Sequence, residues 1–214
     1  MAIKKPLNIT RGKTTKFVLR WEDADVAVAK PITAISFSSG FPRLTVASHG
    51  LTNGWPTAVT RVESPKQINA QSNPLGDSDY RKVTVVDSNT LEFNGWIPAD
   101  DSGKAWSAYT SGGFIHFNTP QDLAGQTFRA KIKDKVGGTV LLSTELSDAP
   151  LNLLEVTADN VAKTITVEIP ATVTEDLLWK KGVWELEAES STGYVESLVD
   201  PTSPVSVSDE VVTP

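Results

Sequence analysis

The two histidines are the first residues to test for chemistry, because the chain has no other imidazole and no cysteine. His49 precedes Gly50, a setting typical of a turn, and His116 lies between Ile115 and Phe117, as on a strand. A zinc site would need further ligands close to one of them, and no helical spacing brings carboxylates to either. The sequence therefore predicts structural histidines, no metal site and no bound cofactor.

Other catalytic and ligand-binding patterns are incomplete. The Gly-x-Ser-x-Gly motif of a nucleophilic serine is absent. Residues 100–103 resemble the start of a calcium loop but lack the twelve-residue pattern with its terminal glutamate. Gly112-Gly113 is too short to cradle a phosphate, and no lysine with a helix start follows it. We therefore expect a protein that is not an enzyme.

Six tryptophans are the most prominent side chains for binding. Trp55, Trp96 and Trp106 stand beside glycine, proline or serine, which indicates turns. Exposed aromatic residues on loops mark protein contacts or sugar stacking, whereas buried ones anchor a core. All three interpretations stay open for these residues, which we take as candidate interface residues. For Trp21 and Trp184 the sequence favours the core.

Charge is distributed unevenly along the chain. Residues 1–20 carry six bases and no acid, and residues 185–210 carry seven acids and no base. These charges could face each other across a ladder within one chain, or the basic end of one subunit could contact the acidic end of another. In the second case Lys4, Lys5 and Arg11 belong to a docking arm, and we include them among the candidate interface residues. An edge strand and a free arm both stay open.

Bulk composition bounds the class of protein. The chain has 214 residues, 39% of them hydrophobic, and a net charge of −6. This is the composition of a globular protein that holds together without disulfides, and the absence of cysteine fits synthesis in a reducing cytoplasm. The acidic balance argues against nucleic acid as a partner. The sequence contains no run of about 18 apolar residues, so no membrane-spanning helix is predicted.

Alternation with a period of two dominates the elements that must position these side chains. Apolar and charged residues alternate in 16–21, 128–135 and 183–189, as in strands with one buried and one exposed face. A single short helix is predicted within 170–179. The fold class is therefore all-β.

Similar strands stand on both sides of a stretch with a different composition, which predicts one domain split by an insertion. We place an outer β-sandwich at residues 1–34 and 121–214, and an inserted β-module at 35–120. The insert contains a long polar loop, residues 64–80, of a kind that is often functional or mobile.

Two sequence patterns are familiar. The outer pattern comprises residues 7–21, 128–133, 137–141, 165–172, 182–187 and 193–195, and the inner one comprises residues 44–51, 80–93 and 111–113. The outer pattern resembles the N-terminal domain of baseplate-upper-protein-like components of tailed bacteriophages. The inner pattern resembles a small β-barrel repeat of phage tail and neck proteins. The resemblance implies an immunoglobulin-like β-sandwich interrupted by a small β-barrel module, and no catalytic residue comes with it.

The function that the resemblance implies is that of a non-enzymatic structural component of a tailed-phage virion. Such a protein would dock on the tail, neck or head-tail junction as an accessory or adaptor protein. Its partners would be other virion proteins, such as tail, neck, portal, baseplate or fibre components, and it would occur in several copies in a symmetric ring. The alternative is a receptor- or carbohydrate-binding module of the adsorption apparatus, which the loop tryptophans and the polar loop favour. No nucleic-acid or membrane partner is expected.

Overall fold

The computed structural model describes residues 2–100, 102–145 and 154–209, and strands dominate them. The all-β class is confirmed. The strands are β1 Leu7–Thr10, β2 Thr15–Arg20, β3 Glu22–Pro31, β4 Ala34–Ser36, β5 Arg43–Thr45, β6 Pro56–Val62, β7 Arg81–Lys82, β8 Thr84–Asp87, β9 Thr90–Glu92, β10 Gly112–Pro120, β11 Thr127–Lys133, β12 Val140–Ser143, β13 Glu155–Asp159, β14 Thr164–Ile169, β15 Lys181–Glu189 and β16 Val195–Ser208. The helix α1 is Ala171–Glu175, and two 3-10 helices span Lys66–Ile68 and Asp77–Asp79.

The chain divides into two compact units. The outer unit comprises Met1–Trp21 and Asp122–Pro214, and the inserted unit comprises Glu22–Gln121. The predicted first segment, residues 1–34, extends further than the observed one. The difference arises because β3 pairs with β10 along most of its length, which ties residues 22–31 to the inserted unit.

Two sheets build the outer unit. The larger has the order β1-β16-β15-β11-β12, and the smaller has the order β13-β14-β2. Buried residues from both sheets form one core: Leu7, Ile9, Leu123, Ala130, Ile132, Leu142, Leu154, Ile165, Val167, Ile169, Leu177, Trp184, Leu186, Ala188, Leu198, Val199, Val205 and Val207. The outer unit is thus a two-sheet sandwich.

The alternating strands behave as their pattern predicts. On β14, Ile165, Val167 and Ile169 are buried while the residues between them reach the surface, and β15 buries Trp184 and Leu186 in the same way. Trp184 is a core residue as predicted. Burying the apolar face of each strand fixes which way the strand faces, because a slip by one residue would expose that whole face.

The charged face of the larger sheet is paired across the ladder. Strands β11 and β15 are antiparallel neighbours, which brings the bases of one opposite the acids of the other. Arg129 binds Glu189 at 3.0 Å, and Lys133 binds Glu185 at 3.1 Å. Exposed pairs of this kind contribute little each, but two copies of β11 could not pair side by side without placing like charges opposite each other.

The helix lies within the predicted segment but is shorter than predicted. Pro170 occupies the N-cap position, and no side chain caps the helix. Thr174 is buried instead, and its hydroxyl lies 2.9 Å from the carbonyl oxygen of Lys13 and 2.9 Å from that of Ala171. A buried hydroxyl must find such partners, so Thr174 joins the helix to the segment before β2.

The inserted unit has its own pair of four-stranded sheets, with the orders β3-β10-β6-β7 and β4-β5-β9-β8. Its buried core consists of Ile32, Ile35, Leu44, Val46, Leu51, Trp55, Val59, Val62, Ile68, Val83, Leu91, Phe93, Trp106, Ile115 and Phe117. None of these residues belongs to the buried core of the outer unit. Each unit therefore has the separate core that independent folding requires.

Deleting residues 22–121 and joining Trp21 to Asp122 by a short linker should leave a folded outer unit. A short linker suffices because Glu22 and Pro120 are direct partners across the β3–β10 ladder, so the chain enters and leaves the insert at neighbouring points. Circular dichroism and the dispersion of the proton NMR spectrum measure the outcome. The separate fragment 22–121 is the control and should also fold. An unfolded deletion variant would contradict the independence of the two cores.

Candidate functional site

The basic N-terminal segment is paired within the chain. Strand β1 runs parallel to β16 at the edge of the larger sheet, and Ile3 forms a further parallel bridge with Val199. The amide of Lys5 donates to the Ser203 hydroxyl at 3.0 Å, and the indole of Trp184 donates to the Lys5 carbonyl at 2.7 Å. Of the two interpretations that the sequence left open, this structure has the edge strand.

Basic side chains of this segment meet acids of the same chain, among them Lys16, which binds Glu168 at 3.4 Å. Arg11 binds Asp209 at 2.8 Å, and Lys180 binds the second oxygen of the same carboxylate at 2.7 Å. A hydrogen bond from Lys180 and the charges of Lys180 and Arg11 hold the pKa of Asp209 below its usual value. Lys4 and Lys5 remain exposed on the outer unit. The charge split is therefore satisfied within the chain at Arg11, and Lys4 and Lys5 stay candidate interface residues.

Trp55 has no surface to offer a partner. Its side chain is 0% exposed in the core of the inserted unit, and its indole donates to the Asn118 carbonyl at 2.9 Å. Its place beside Gly54 and Pro56 does indicate a turn, but the ring points inward from that turn. Its choice as an interface residue is corrected here to the core alternative.

Trp96 and Trp106 meet in one aromatic cluster. Their ring centroids are 5.3 Å apart at 88°, and Phe93 and Phe37 extend the cluster through further edge-to-face contacts at 5.9 and 6.1 Å. Trp106 is only 8% exposed, which makes it a core residue as well. Edge-to-face packing stabilises such a cluster beyond the burial of area alone.

Trp96 is the one candidate tryptophan that reaches the surface. The guanidinium carbon of Arg81 lies 4.1 Å from its ring centroid, and the neighbouring Ile97 is 69% exposed. Tryptophan and arginine are the residue types most enriched in the centres of protein interfaces. The guanidinium covers one face of the ring, which removes that face from sugar stacking. Arg81, Trp96 and Ile97 are named the aromatic patch below.

A second feature of the inserted unit is an open cleft of about 500 Å³. Its floor comes from β6 and β10, and its rim comes from the predicted polar loop. Six of the lining residues carry the argument that follows: Thr60, Arg61, Ser72, Asn73, Phe114 and His116. Of these, the sequence drew attention only to His116, for which it predicted a structural role, because the six are scattered over more than fifty positions.

The backbone is distorted in the ladder between β6 and β10, at the floor of the cleft. Arg61 has a φ of 58°, in the left-handed region that a residue with a Cβ rarely adopts. Across the ladder, Gly113 has a φ of 100°, and a Cβ there would stand 2.5 Å from Cγ2 of Val62. Only glycine fits at position 113. The glycine pair was thus a sequence signal of this site, beside the polar loop, and it marks a close approach of strands rather than a phosphate loop.

The surroundings of His116 in this cleft lower its pKa. Its Nε2 lies 2.8 Å from the Thr60 hydroxyl. Partial burial, and then the positive charge of Arg61, lowers its pKa from the usual 6.5. The other histidine is structural, as predicted: the Nδ1 of buried His49 accepts from the Leu51 amide at 3.0 Å, so its Nε2 donates to the Asp87 carbonyl at 2.7 Å.

The polar loop that forms the rim is held by its own hydrogen bonds. The Asn69 side chain accepts from the Val62 amide at 2.8 Å and donates to the Val62 carbonyl at 2.9 Å. The Asp79 carboxylate accepts from the amides of Gln71 at 2.8 Å and Gly76 at 2.9 Å, which lowers its pKa. These bonds fix the rim against β6 and give the cleft a defined shape.

Within the described ranges, no group of three or more histidine, aspartate or glutamate side chains is arranged to hold a metal ion. The helices found in the same ranges are all too short to cross a membrane.

Reversing the charges of the N-terminal segment, with Lys4, Lys5 and Arg11 replaced by glutamate, should lower the melting temperature of the isolated protein. The reversal breaks the pair between Arg11 and Asp209 and adds acids beside the acidic last strand. The loss should shrink as salt is added, because about 10 Å is the screening length at about 0.1 M. Thermal unfolding at low and high salt measures both effects.

The control for that experiment reverses three exposed bases of the inserted unit, Lys66, Lys82 and Lys104. An arm variant that melts no lower than this control would contradict the electrostatic role of the arm.

The imidazole of His116 should titrate below pH 6.5 in the folded protein. Because the unfolded chain then binds the proton more readily, acidification through pH 6.5 toward the lower folded pKa removes stability that is present at neutral pH. NMR titration gives the pKa, with the signal assigned by its loss in His116→Gln. The same variant should lose less stability on acidification than the wild type. A folded pKa at or above 6.5 would show that burial does not dominate.

Comparison with known proteins identifies no family: no protein-family model matches the chain, and no curated protein matches it. The resemblance to phage virion proteins therefore stays a prediction, and what the structure adds is the geometry of three surfaces: the basic edge strand, the aromatic patch and the cleft.

Proposed function

We propose that the chain is a non-enzymatic structural component of a tailed-phage virion, which docks as an accessory or adaptor protein on the tail, neck or head-tail junction. One observation supports this most. The segments that carry the outer resemblance are far apart in sequence, yet they supply β1, β2, β11, β12, β14 and β15 of one sandwich with one core. A pattern match that falls on the strands of a single unit is the kind that a shared domain produces.

The aromatic patch is the docking surface that fits this role best. Ile97 is an exposed apolar side chain beside the half-buried Trp96. Arg81 adds a positive charge, and its guanidinium is held in place over the ring of Trp96. Because the cluster beneath holds Trp96 in place, docking would order few side chains, which lowers the entropic cost of binding. In a symmetric ring the same patch is presented by every copy.

The alternative function, a receptor- or carbohydrate-binding module, is favoured by a different observation, the cleft. The two functions are compatible, since the aromatic patch and the cleft share none of their residues. They also make different demands: docking requires the chain to be part of the particle, whereas ligand binding can be measured on the isolated protein.

Mass spectrometry of purified virions of the phage that encodes the chain tests the proposal. The chain should be present in several copies per particle. Replacing Arg81 by glutamate and Ile97 by aspartate should reduce its copy number by about tenfold or more, because removing an interface hot spot costs at least about 2 kcal/mol. Isolated protein of this variant should stay folded.

Val161→Asp is the matched control, since Val161 is another exposed apolar residue but lies in the outer unit. It should be incorporated like the wild type. Absence of the chain from particles would refute the virion function. Normal incorporation of the double variant would refute only the aromatic patch as the docking surface.

A further inference from the structure

We propose that the cleft beneath residues 64–80 binds a saccharide that carries a carboxylate, with Arg61 holding the carboxylate and the side chains around it holding the sugar ring. The inference does not depend on the place of the chain in a virion. It rests on the charge, the strain and the lining of the cleft.

The size of the cleft suits a small ligand. Its volume of about 500 Å³ lies inside the range of about 300–1,000 Å³ that is usual for ligand sites. One or two sugar rings fill such a space. The loop that forms its rim is fixed to β6 through Asn69, so the cleft has its shape before any ligand binds.

The charge of the cleft is one-sided. Arg61 lines it, no aspartate or glutamate does, and the ion pairs found in the described part of the chain do not include Arg61. A guanidinium offers two parallel N–H donors that match the two oxygens of a carboxylate. An anionic group is therefore the ligand chemistry that this cation requires.

The strain at Arg61 is a second observation, separate from the charge of the cleft. Glycine or asparagine would adopt its left-handed backbone at a lower cost than arginine does. Non-glycine residues with a left-handed backbone persist where surrounding contacts hold that conformation in place, and they cluster at binding sites. Here the close approach of Gly113 and the two bonds from Asn69 to Val62 hold the neighbouring backbone. The chain thus keeps an arginine where its fold favours a different residue.

The remaining lining points to a sugar rather than a peptide. Thr60, Ser72 and Asn73 offer hydroxyls and an amide, and Phe114 offers an aromatic face. A sugar ring presents hydroxyl groups on its rim and C–H groups on one face, which complements such a lining. Phe114 and His116 lie on β10, which is paired with β3 on one side and β6 on the other. The floor therefore has no free strand edge for an extended peptide to join.

The test uses isothermal titration calorimetry and NMR on the full chain with three probes: methyl glucuronide, methyl glucoside and an end-blocked dipeptide of two aspartates. The glucuronide should bind and shift the resonances of His116 and Phe114. The glucoside should bind at least about tenfold more weakly, because charge-assisted hydrogen bonds are about twice as strong as neutral ones.

Arg61→Asn is the informative variant, since asparagine tolerates the left-handed backbone and has no charge. It should melt at the same temperature as the wild type or higher, and it should lose the glucuronide affinity by about tenfold or more. Lys82→Ala removes an exposed base that does not line the cleft and should bind like the wild type.

Equal binding of glucuronide by the wild type and Arg61→Asn would overturn the role of Arg61. Binding of the dipeptide without the glucuronide would overturn the saccharide, and binding of no probe would overturn the site. None of these results bears on whether the chain is found in virions, so the two proposals fail separately.

Discussion

The outer unit depends on pairing between segments from opposite ends of the chain. Strand β1 pairs with β16, and β2 pairs with β14, so each sheet joins a strand that precedes the insert to a strand that follows it. Trp184 lies where these pairings converge: its indole binds the Lys5 carbonyl at 2.7 Å, and its ring meets Phe17 edge-to-face at 5.4 Å. Closing so long a loop is entropically costly and slow, and the buried core must offset that cost. The insert does not enter this core, which is why the sandwich tolerates it.

The inserted unit is governed by a local constraint instead. Gly113 lets β10 approach β6 more closely than any other residue would, and Arg61 takes up the distortion on the opposite strand. Asn69 then clamps both backbone groups of Val62, so the rim loop is fixed to the distorted strand. The strain and the cleft thus have one origin. Asparagine at position 61 can adopt the same left-handed backbone, so we expect that substitution to keep the shape of the cleft and to remove only the charge.

Period-two alternation was sufficient to predict β2, β11 and β15, because burial of one face of a strand is a local property of its sequence. The start of the insert was not predictable in this way. Strand β3 belongs to the inserted unit only through its pairing with β10, about ninety residues away along the chain. The prediction that Trp55 is an interface residue was wrong for a related reason. The glycine and proline beside it indicate a turn, but they do not tell which way the ring points. The cleft depends on all of these effects together, so the sequence marked its polar loop, its histidine and its glycine pair without showing that they meet.

The two functions proposed for the inserted unit support each other physically. A cleft that holds one sugar ring by a single ion pair and a few hydroxyl contacts binds weakly, because a small ligand buries little area. If the aromatic patch docks the chain in several copies on one particle, each further cleft binds from a high effective concentration, and the combined affinity rises without any new contact. A free monomer has only one such cleft, so its affinity does not rise in this way. Weak binding by the isolated protein and strong retention of particles on an acidic polysaccharide are therefore the combination that the two surfaces produce together.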